Sequence, residues 1–133
     1  GVDADLYRRL RPHVCALPTT RLTTLNVNTL TPEQAPLLMM LTDNALGAAA
    51  ARDLIARRPA AGWRDADAFW AEPALAAVAP SDDVRAQATV LTRYFNLRVD
   101  VAYGGGRAVR TALLFAQPDG AVRTVIQRWT PDE

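Results

Sequence analysis

The chain has 133 residues, of which 50% are hydrophobic, and this suits one globular domain or two very small ones that share a core. Its 15 basic residues, all arginine, nearly balance 14 acidic ones, so the net charge of +1 provides no strong field to gather DNA or anionic lipid. A single cysteine excludes an internal disulfide and a multi-cysteine metal site, and no apolar run approaches the roughly 20 residues of a membrane span.

The N-terminal segment, residues 3–17, is predicted to be a helix and its exit. Asp3 or Asp5 can accept hydrogen bonds from the free amides of the first turn, and Pro12 should bend or end the helix. The chain begins at Gly1 rather than at a methionine, and no signal peptide is evident. We therefore expect a piece of a longer protein, with any targeting segment upstream.

A helix start with three cooperating signals follows a polar connection at residues 18–31. Thr31 is a capping residue, Pro32 suits the first helical position, and Gln34 completes a capping box. The apolar pattern then predicts a helix that ends near Leu41.

A second helix of this hairpin is predicted over about residues 45–58, after a turn at residues 42–44. Pro59 disfavours helical geometry in the residue before it, so the helix should end there. Trp63 and Phe69 are predicted to fill the core of this small helical module.

The pattern changes after Pro80. Residues 95–103 alternate between apolar and polar side chains, which predicts a strand with one solvated face. Residues 107–116 and 121–129 are predicted as two further strands, and short turns between them imply an antiparallel meander. Three strands with one apolar face need a cover, which we expect to be a helix of the complete protein.

Pairs of aspartates are the candidate oxygen ligands for a metal, at residues 3/5, 65/67 and 82/83. None has the spacing of an EF-hand loop, and calcium takes six to eight oxygens, so capping and solvation are the simpler interpretation. Asp65 in particular is expected to cap a short helix. Asp82 and Asp83 are the pair that we select for calcium, because they lie where the helical module meets the sheet.

Enzyme chemistry has little support in the sequence, and we predict no catalytic residue. His13 is the only histidine, and Cys15 follows two residues later. Positions separated by two residues point to different sides of a helix, so these side chains do not form a nucleophile pair there. No other cofactor site is evident.

Exposed aromatic side chains are the candidate partner-binding residues. We predict Trp70 and Trp129 as partner contacts, whereas Met39 and Met40 are predicted to fill the core.

Four segments along the chain form a recognisable order. They are Leu25-Asn26-Val27-Asn28-Thr29, Ala51-Arg52-Asp53-Leu54-Ile55-Ala56-Arg57-Arg58-Pro59 leading into Gly62-Trp63, Asp67-Ala68-Phe69, and Arg93-Tyr94-Phe95-Asn96-Leu97-Arg98-Val99. The most specific feature is the Tyr-Phe pair that opens an alternating strand after the helical module. Together these segments resemble the C-terminal portion of the minor pseudopilin K subunit of the type II secretion system, the GspK family.

The resemblance implies an α+β fold, in which a pilin-like core is interrupted by a large helical insertion. Residues 1–80 would form a small SAM-like helical module, of which residues 1–17 are the tail of a preceding helical subdomain. Residues 81–133 would form a three-stranded antiparallel pilin-type sheet.

The same resemblance implies a function in protein secretion without enzyme activity. The protein would sit at the pseudopilus tip, bind the minor pseudopilins I and J, prime assembly and help to pass exported proteins outward. It would lie at the periplasmic face of the bacterial inner membrane, anchored by an N-terminal helix absent from this chain. Some family members bind calcium, but the resemblance matches those ligands to no position here.

The alternative hypothesis is a helix-hairpin-helix nucleic-acid-binding module of the competence type. Such modules hold phosphate on the backbone amides of a glycine-rich hairpin at a helix N-terminus. The corresponding hairpin, residues 41–47, has one glycine, the acidic Asp43 and no basic residue. An acidic side chain repels phosphate, so the secretion function is favoured.

Overall fold

The computed structural model describes residues 1–11, 13–14, 16–20 and 22–130. The chain divides into two compact units, Gly1–Leu91 and Thr92–Glu133. The first unit is helical and the second holds an antiparallel sheet, so the predicted α+β fold is confirmed. The boundary lies later than the one predicted after residue 80, because the next residues form a short helix and a strand that belong to the first unit.

The helices of the first unit are short, and in the described part of the unit single 3₁₀ turns accompany them at Val27–Thr29, Pro32–Gln34 and Pro73–Leu75. Among the described residues the α-helices are α1 (Ala4–Leu10), α2 (Ala35–Leu41), α3 (Ala48–Ala56), α4 (Ala66–Trp70) and α5 (Asp82–Arg85). No helix in these described ranges has both the length and the apolar character needed to cross a membrane.

Helix α1 begins as predicted and occupies the first half of the predicted segment. Asp3 is its N-cap, and one carboxylate oxygen accepts a hydrogen bond from the amide of Leu6 at 2.7 Å. The helix has no buried residue, so packing does little to extend it beyond Leu10. Pro12, which was expected to end it, lies outside the described residues.

The hairpin of α2 and α3 follows the predicted signals. Gln34 Oε1 accepts from the amide of Thr31 at 3.1 Å, which is one half of the capping box. The turn between the helices places Asp43 and Asn44 in the left-handed region, with φ of 50° and 60°. Helix α3 starts later than predicted because the extended Gly47 precedes its first turn.

The core of the first unit confirms that Trp63 and Phe69 lie inside. Their rings meet edge to face with centroids 5.1 Å apart. Met39 packs against this core, as predicted. The prediction that Met40 also fills the core is wrong, because Met40 lies on the solvent side of α2 and is 73% exposed. The most deeply buried large side chains are Val27, Leu38, Leu54, Phe69 and Leu75.

Side-chain hydrogen bonds help to fix the segments that surround this core. Arg58 Nη1 donates to the carbonyl of Leu30 at 2.8 Å, across 28 positions of sequence. The indole N–H of Trp63 donates to a carboxylate oxygen of Glu72 at 2.7 Å, so the polar group of a buried ring is satisfied.

A two-residue parallel pair, which the sequence did not predict, connects the two ends of the helical module. Strand β1 (Leu25–Asn26) lies beside β2 (Ala88–Thr89), with Leu25 opposite Ala88. The amide of Leu25 also donates to the carbonyl of Gln87 at 2.7 Å. This pairing explains why the helical unit extends past residue 80.

The second unit is the predicted meander, with strand order β3–β4–β5 and antiparallel neighbours. Its strands are β3 (Tyr94–Tyr103), β4 (Gly106–Ala116) and β5 (Val122–Thr130). Glycines with positive φ occupy both turns, Gly104 and Gly105 in the first and Gly120 in the second.

Candidate functional site

One side of the sheet is apolar and incompletely covered. The strand register brings β3 side chains opposite those of β4, with Phe95 facing Leu114 and Leu97 facing Ala112. On this side of β3, Phe95, Leu97, Val99 and Val101 are between 41% and 53% exposed, and Tyr103 at the strand end is 90% exposed. We call this surface the apolar face; it consists of Phe95, Leu97, Val99, Val101, Ala112, Leu114, Val122 and Trp129.

A β-bulge in β5 completes the apolar face. Val122 and Trp129 are seven positions apart in the sequence, so a regular strand would send them to opposite sides. The register shifts by one residue opposite Leu113 and Leu114, which leaves Val125 without a partner in β4. As a result Val122 and Trp129 lie on the same side, opposite Ala116 and Arg110 respectively.

An exposed apolar surface of this kind is typical of a protein-interaction site. Three strands with one apolar face gain stability when another element covers that face. A shallow depression of about 190 Å³ lies in its centre between Leu97 and Leu114, with Thr124 and Gln127 at its border. The few polar groups at the border can orient a partner, while the apolar residues contribute most of the buried area.

Trp129 is exposed, as expected of a partner-contact residue. Its side chain is 68% exposed, and the guanidinium of Arg110 lies 5.2 Å from the ring centroid. Arg110 also donates a short hydrogen bond to Gln127 Oε1, which holds it beside the indole. Tryptophan and arginine are enriched among residues that dominate binding at interfaces. A partner contact at Trp129 stays a prediction.

The structure corrects the expectation that Trp70 offers an exposed surface. Its side chain is only 7% exposed and its ring packs on Phe69, with centroids 5.0 Å apart. The guanidinium of Arg85 lies 5.8 Å from the ring centroid, and the indole N–H approaches the Arg85 carbonyl at 3.4 Å. Helix α5, which the sequence did not predict, therefore helps to enclose Trp70 in the core.

The calcium candidates Asp82 and Asp83 lie in the first turn of α5, and both are exposed. Negative charge is favourable at the N-terminus of a helix, which accounts for both carboxylates without a metal. Within the described residues no group of three or more histidine, cysteine or acidic side chains could hold a metal ion. Two carboxylates supply few of the oxygens that calcium requires, and calcium binding at this pair stays a prediction.

On the opposite side of the sheet β3 is polar, as its alternation predicted, whereas β4 and β5 place the apolar Val109, Leu113, Phe115 and Ile126 there. Asp100 accepts two hydrogen bonds from Arg107, at 2.8 Å and 2.5 Å, and lies 3.6 Å from Arg98. The hydrogen bond from Arg107 is the main cause that lowers the pKa of the Asp100 carboxyl. These charged groups are solvated, and the one aspartate pairs with two arginines on β3 and β4.

The helix hairpin carries no basic side chain at the position that would meet a phosphate. Asp43 is exposed in its turn, and residues 41–47 contain neither lysine nor arginine. His13 is half-buried, and Cys15 lies outside the described residues, so the absence of a nucleophile pair stays a prediction.

Comparison with known proteins identifies one family. Residues 25–91, about half of the chain, match the family described as "Type II secretion system (T2SS), protein K". A type II secretion system protein K from Klebsiella pneumoniae is 38% identical over 100% of this chain and 41% of its own length. One from Aeromonas hydrophila is 39% identical over 81% of this chain and 32% of its own length.

A solved structure is similar over nearly the whole chain. It is the GspK-GspI-GspJ complex of the type 2 secretion system from enterotoxigenic Escherichia coli, in which one chain is 34% identical with a TM-score of 0.76. The match covers 98% of this chain and 44% of that one. The chain therefore spans less than half the length of these relatives. Nothing in these similarities supports nucleic-acid binding.

Proposed function

The chain belongs to the type II secretion system protein K family, and we propose that it is part of a minor pseudopilin at the tip of the secretion pseudopilus. In this role it aids pseudopilus assembly and protein export. Its mechanism is docking rather than catalysis, and it acts without a catalytic residue. The observation that carries the proposal is the apolar face, an exposed surface suited to a partner element.

The apolar face is the part of the chain that a helix covers in the complete protein. Phe95, Leu97, Val99 and Val101 are each partly exposed along one strand, and a helix laid across them would bury most of that area. Burial of apolar area contributes about 25 cal/mol per Å². This strongly favours a covered state over the uncovered one.

The partners that we propose are the minor pseudopilins I and J. The support comes from the similar solved chain, which was crystallised in a complex whose other components are GspI and GspJ. Trp129 and the Arg110 guanidinium beside it, at the edge of the apolar face, are of the residue types that dominate binding at interfaces, and we propose that they contact a partner. We further propose that the helical unit blocks the addition of subunits above it, and that the complete protein acts at the periplasmic face of the inner membrane.

Co-purification tests the partner proposal. The complete protein is co-expressed with its I and J subunits, and an affinity tag on one of them is used for capture. We expect the three proteins to elute together and to stay together in gel filtration. Elution of this protein alone, under conditions where I and J still pair, would overturn the assignment.

Cysteine labelling tests the helical cover separately. In a Cys15→Ser background, Leu97→Cys should react quickly with a maleimide in the present chain and slowly in the complete protein. Met40→Cys, at an exposed position of α2, is the matched control and should react quickly in both. Equal reactivity of Leu97→Cys in the two proteins would contradict the cover.

A further inference from the structure

The sheet unit carries the positive charge of the chain. Residues 92–133 contain six arginines and four acidic residues, a net charge of +2, whereas residues 1–91 carry −1. Asp132 and Glu133 lie outside the described residues. Of the other two, Asp100 pairs with Arg107, and Asp119 accepts from the amide of Ala121 in the second turn. The remaining arginines of the described strands therefore lie elsewhere on the sheet.

Two of these arginines, Arg123 and Arg128, share one side of the edge strand β5. They are five positions apart, so a regular strand would place them on opposite sides. Because the bulge at Val125 adds one residue to β5, both arginines lie on the same side of the sheet. Arg123 is opposite Phe115, and Arg128 is opposite Thr111. Over the described part of the chain neither guanidinium makes an ion pair, and both side chains are exposed.

The backbone of β5 has an open side. Within the described residues its pairing partner is β4 alone, so its outward amides and carbonyls have no strand beside them. An edge of this kind accepts a further strand by main-chain hydrogen bonding, with cross-strand side chains deciding which strand fits. The open edge of β3 differs, because Arg98 and Arg107 beside it are already paired with Asp100.

A second copy of the same strand is disfavoured at this edge in the register that brings the arginines together. In an antiparallel pairing of two β5 strands with Val125 opposite Ile126, Arg123 of one copy would face Arg128 of the other. Like charges directly opposite one another across two strands are destabilising. The arginines therefore act against self-association and favour a strand of opposite charge.

We propose that the outer edge of β5 receives an extended acidic segment of another protein by strand addition. The segment would carry two carboxylates on one side, four residues apart, opposite Arg123 and Arg128. On its other side, small apolar residues would continue the surface formed by Val122 and Trp129. This proposal concerns the edge of the sheet and does not depend on what covers the apolar face.

A peptide probe tests the proposal with the chain as it stands. The probe is a capped peptide of alternating threonine and valine, with glutamate at two threonine positions four residues apart and a fluorescent label at one end. We expect saturable binding by fluorescence anisotropy at low salt. The Arg123→Glu, Arg128→Glu double variant loses both charge pairs with the peptide, so we expect it to bind about tenfold more weakly.

Two controls separate strand addition from general charge attraction. The Arg52→Glu, Arg57→Glu double variant makes the same change of net charge on exposed positions of the helical unit and should bind like the wild type. Hydrogen exchange should show slower exchange of β5 amides when the glutamate peptide is bound, with β3 amides unchanged.

Several results would overturn the proposal. One is equal binding by the Arg123→Glu, Arg128→Glu variant, and another is equal weakening by the control variant. The absence of added protection in β5, or protection that appears in β3 instead, would exclude strand addition at this edge. A peptide with glutamine in place of both glutamates should bind about tenfold more weakly, and equal binding would remove the acidic requirement.

Discussion

The side-chain amide of Asn28 clamps the backbone of Trp63 from 35 positions away. Its Nδ2 donates to the Trp63 carbonyl at 2.8 Å, and its Oδ1 accepts from the Trp63 amide at 2.8 Å. One side chain thus satisfies both backbone groups of a residue whose ring fills the core. The clamp joins the turn after β1 to the loop before α4, which places Trp63 against Phe69.

Replacement of Asn28 by alanine should destabilise the helical unit by about 2 kcal/mol, because two hydrogen bonds are lost and two backbone groups are left without a partner. Urea unfolding followed by tryptophan fluorescence measures the change. Asn96→Ala, at an exposed position of β3, is the control and should lie within about 0.5 kcal/mol of the wild type. A loss no larger than that of the control would contradict the role of the clamp.

Gly62 is required both by its backbone and by its nearness to the clamp. Its φ is +77°, and a Cβ built there would lie 2.8 Å from Cγ and Nδ2 of Asn28. In the wild type, Gly62→Ala should therefore cost more than the 1–2 kcal/mol or so expected for the left-handed conformation alone. In an Asn28→Ala background the clash is absent, so the added cost should fall to about that value. Additive costs in this double-mutant cycle would be evidence against the contact.

Asp65 should give helix α4 a stability that depends on pH. Its carboxylate accepts from the amide of Ala68 at 2.7 Å and from Arg64 at 2.8 Å, and the Ala68 hydrogen bond is the main cause that lowers its pKa. A carboxyl with a lowered folded-state pKa stabilises the fold above its unfolded pKa and loses that effect as the pH falls through the folded pKa. Thermal unfolding from pH 7 to pH 2 measures it.

The variants of Asp65 separate the cap from the charge. Asp65→Asn keeps a capping oxygen but has no carboxyl to titrate, so its deficit relative to the wild type should shrink in acid. Asp65→Ala should be less stable than Asp65→Asn at pH 7. If the difference between wild type and Asp65→Asn stays constant down to pH 2, the carboxylate does not act as described.

The three tryptophans should differ in access to a soluble quencher. Trp129 is 68% exposed, whereas Trp63 and Trp70 are 5% and 7% exposed. Acrylamide should therefore quench mainly Trp129, and Trp129→Phe should remove most of the quenchable emission. Trp70→Phe serves as the comparison and should leave it nearly unchanged. Dominant quenching that survives Trp129→Phe would contradict the burial of Trp70.

The isolated chain should bind a dye that fluoresces in apolar surroundings, through its apolar face. The double variant Leu97→Thr, Val101→Thr keeps side chains that suit a strand and removes apolar area, so dye emission should fall by about half. Met40→Thr, an exposed position outside the face, should change it little. Equal emission from the wild type and the double variant would show that the face is not the binding surface.

Local sequence signals predicted the elements that depend on neighbouring residues. The cap at Asp65 and the alternation in β3 are properties of a few adjacent positions, and both were confirmed. Structure that depends on contacts between residues far apart in the sequence was not predicted. The pairing of Leu25 with Ala88 joins two residues far apart in the sequence, and a two-residue strand has no detectable period.

The candidate site was predicted in part for the same reason. The apolar side of β3 follows from its alternation, and the exposure of Trp129 was expected. In β5 the alternation is broken by the bulge, and without the register its side chains cannot be assigned to a side. The prediction that Trp70 is on the surface was wrong because Arg85 of α5 covers its ring. Helix α5 is a single turn, and its capping signals alone did not reveal it in the sequence.

The short parallel ladder between Leu25–Asn26 and Ala88–Thr89 has a structural consequence. It brings the end of residues 25–89 back beside their start, so this segment closes on itself. A segment whose two ends lie side by side can be exchanged or permuted as one piece. Changes on the exposed surfaces of the helices between the two strands should therefore leave its two ends in register.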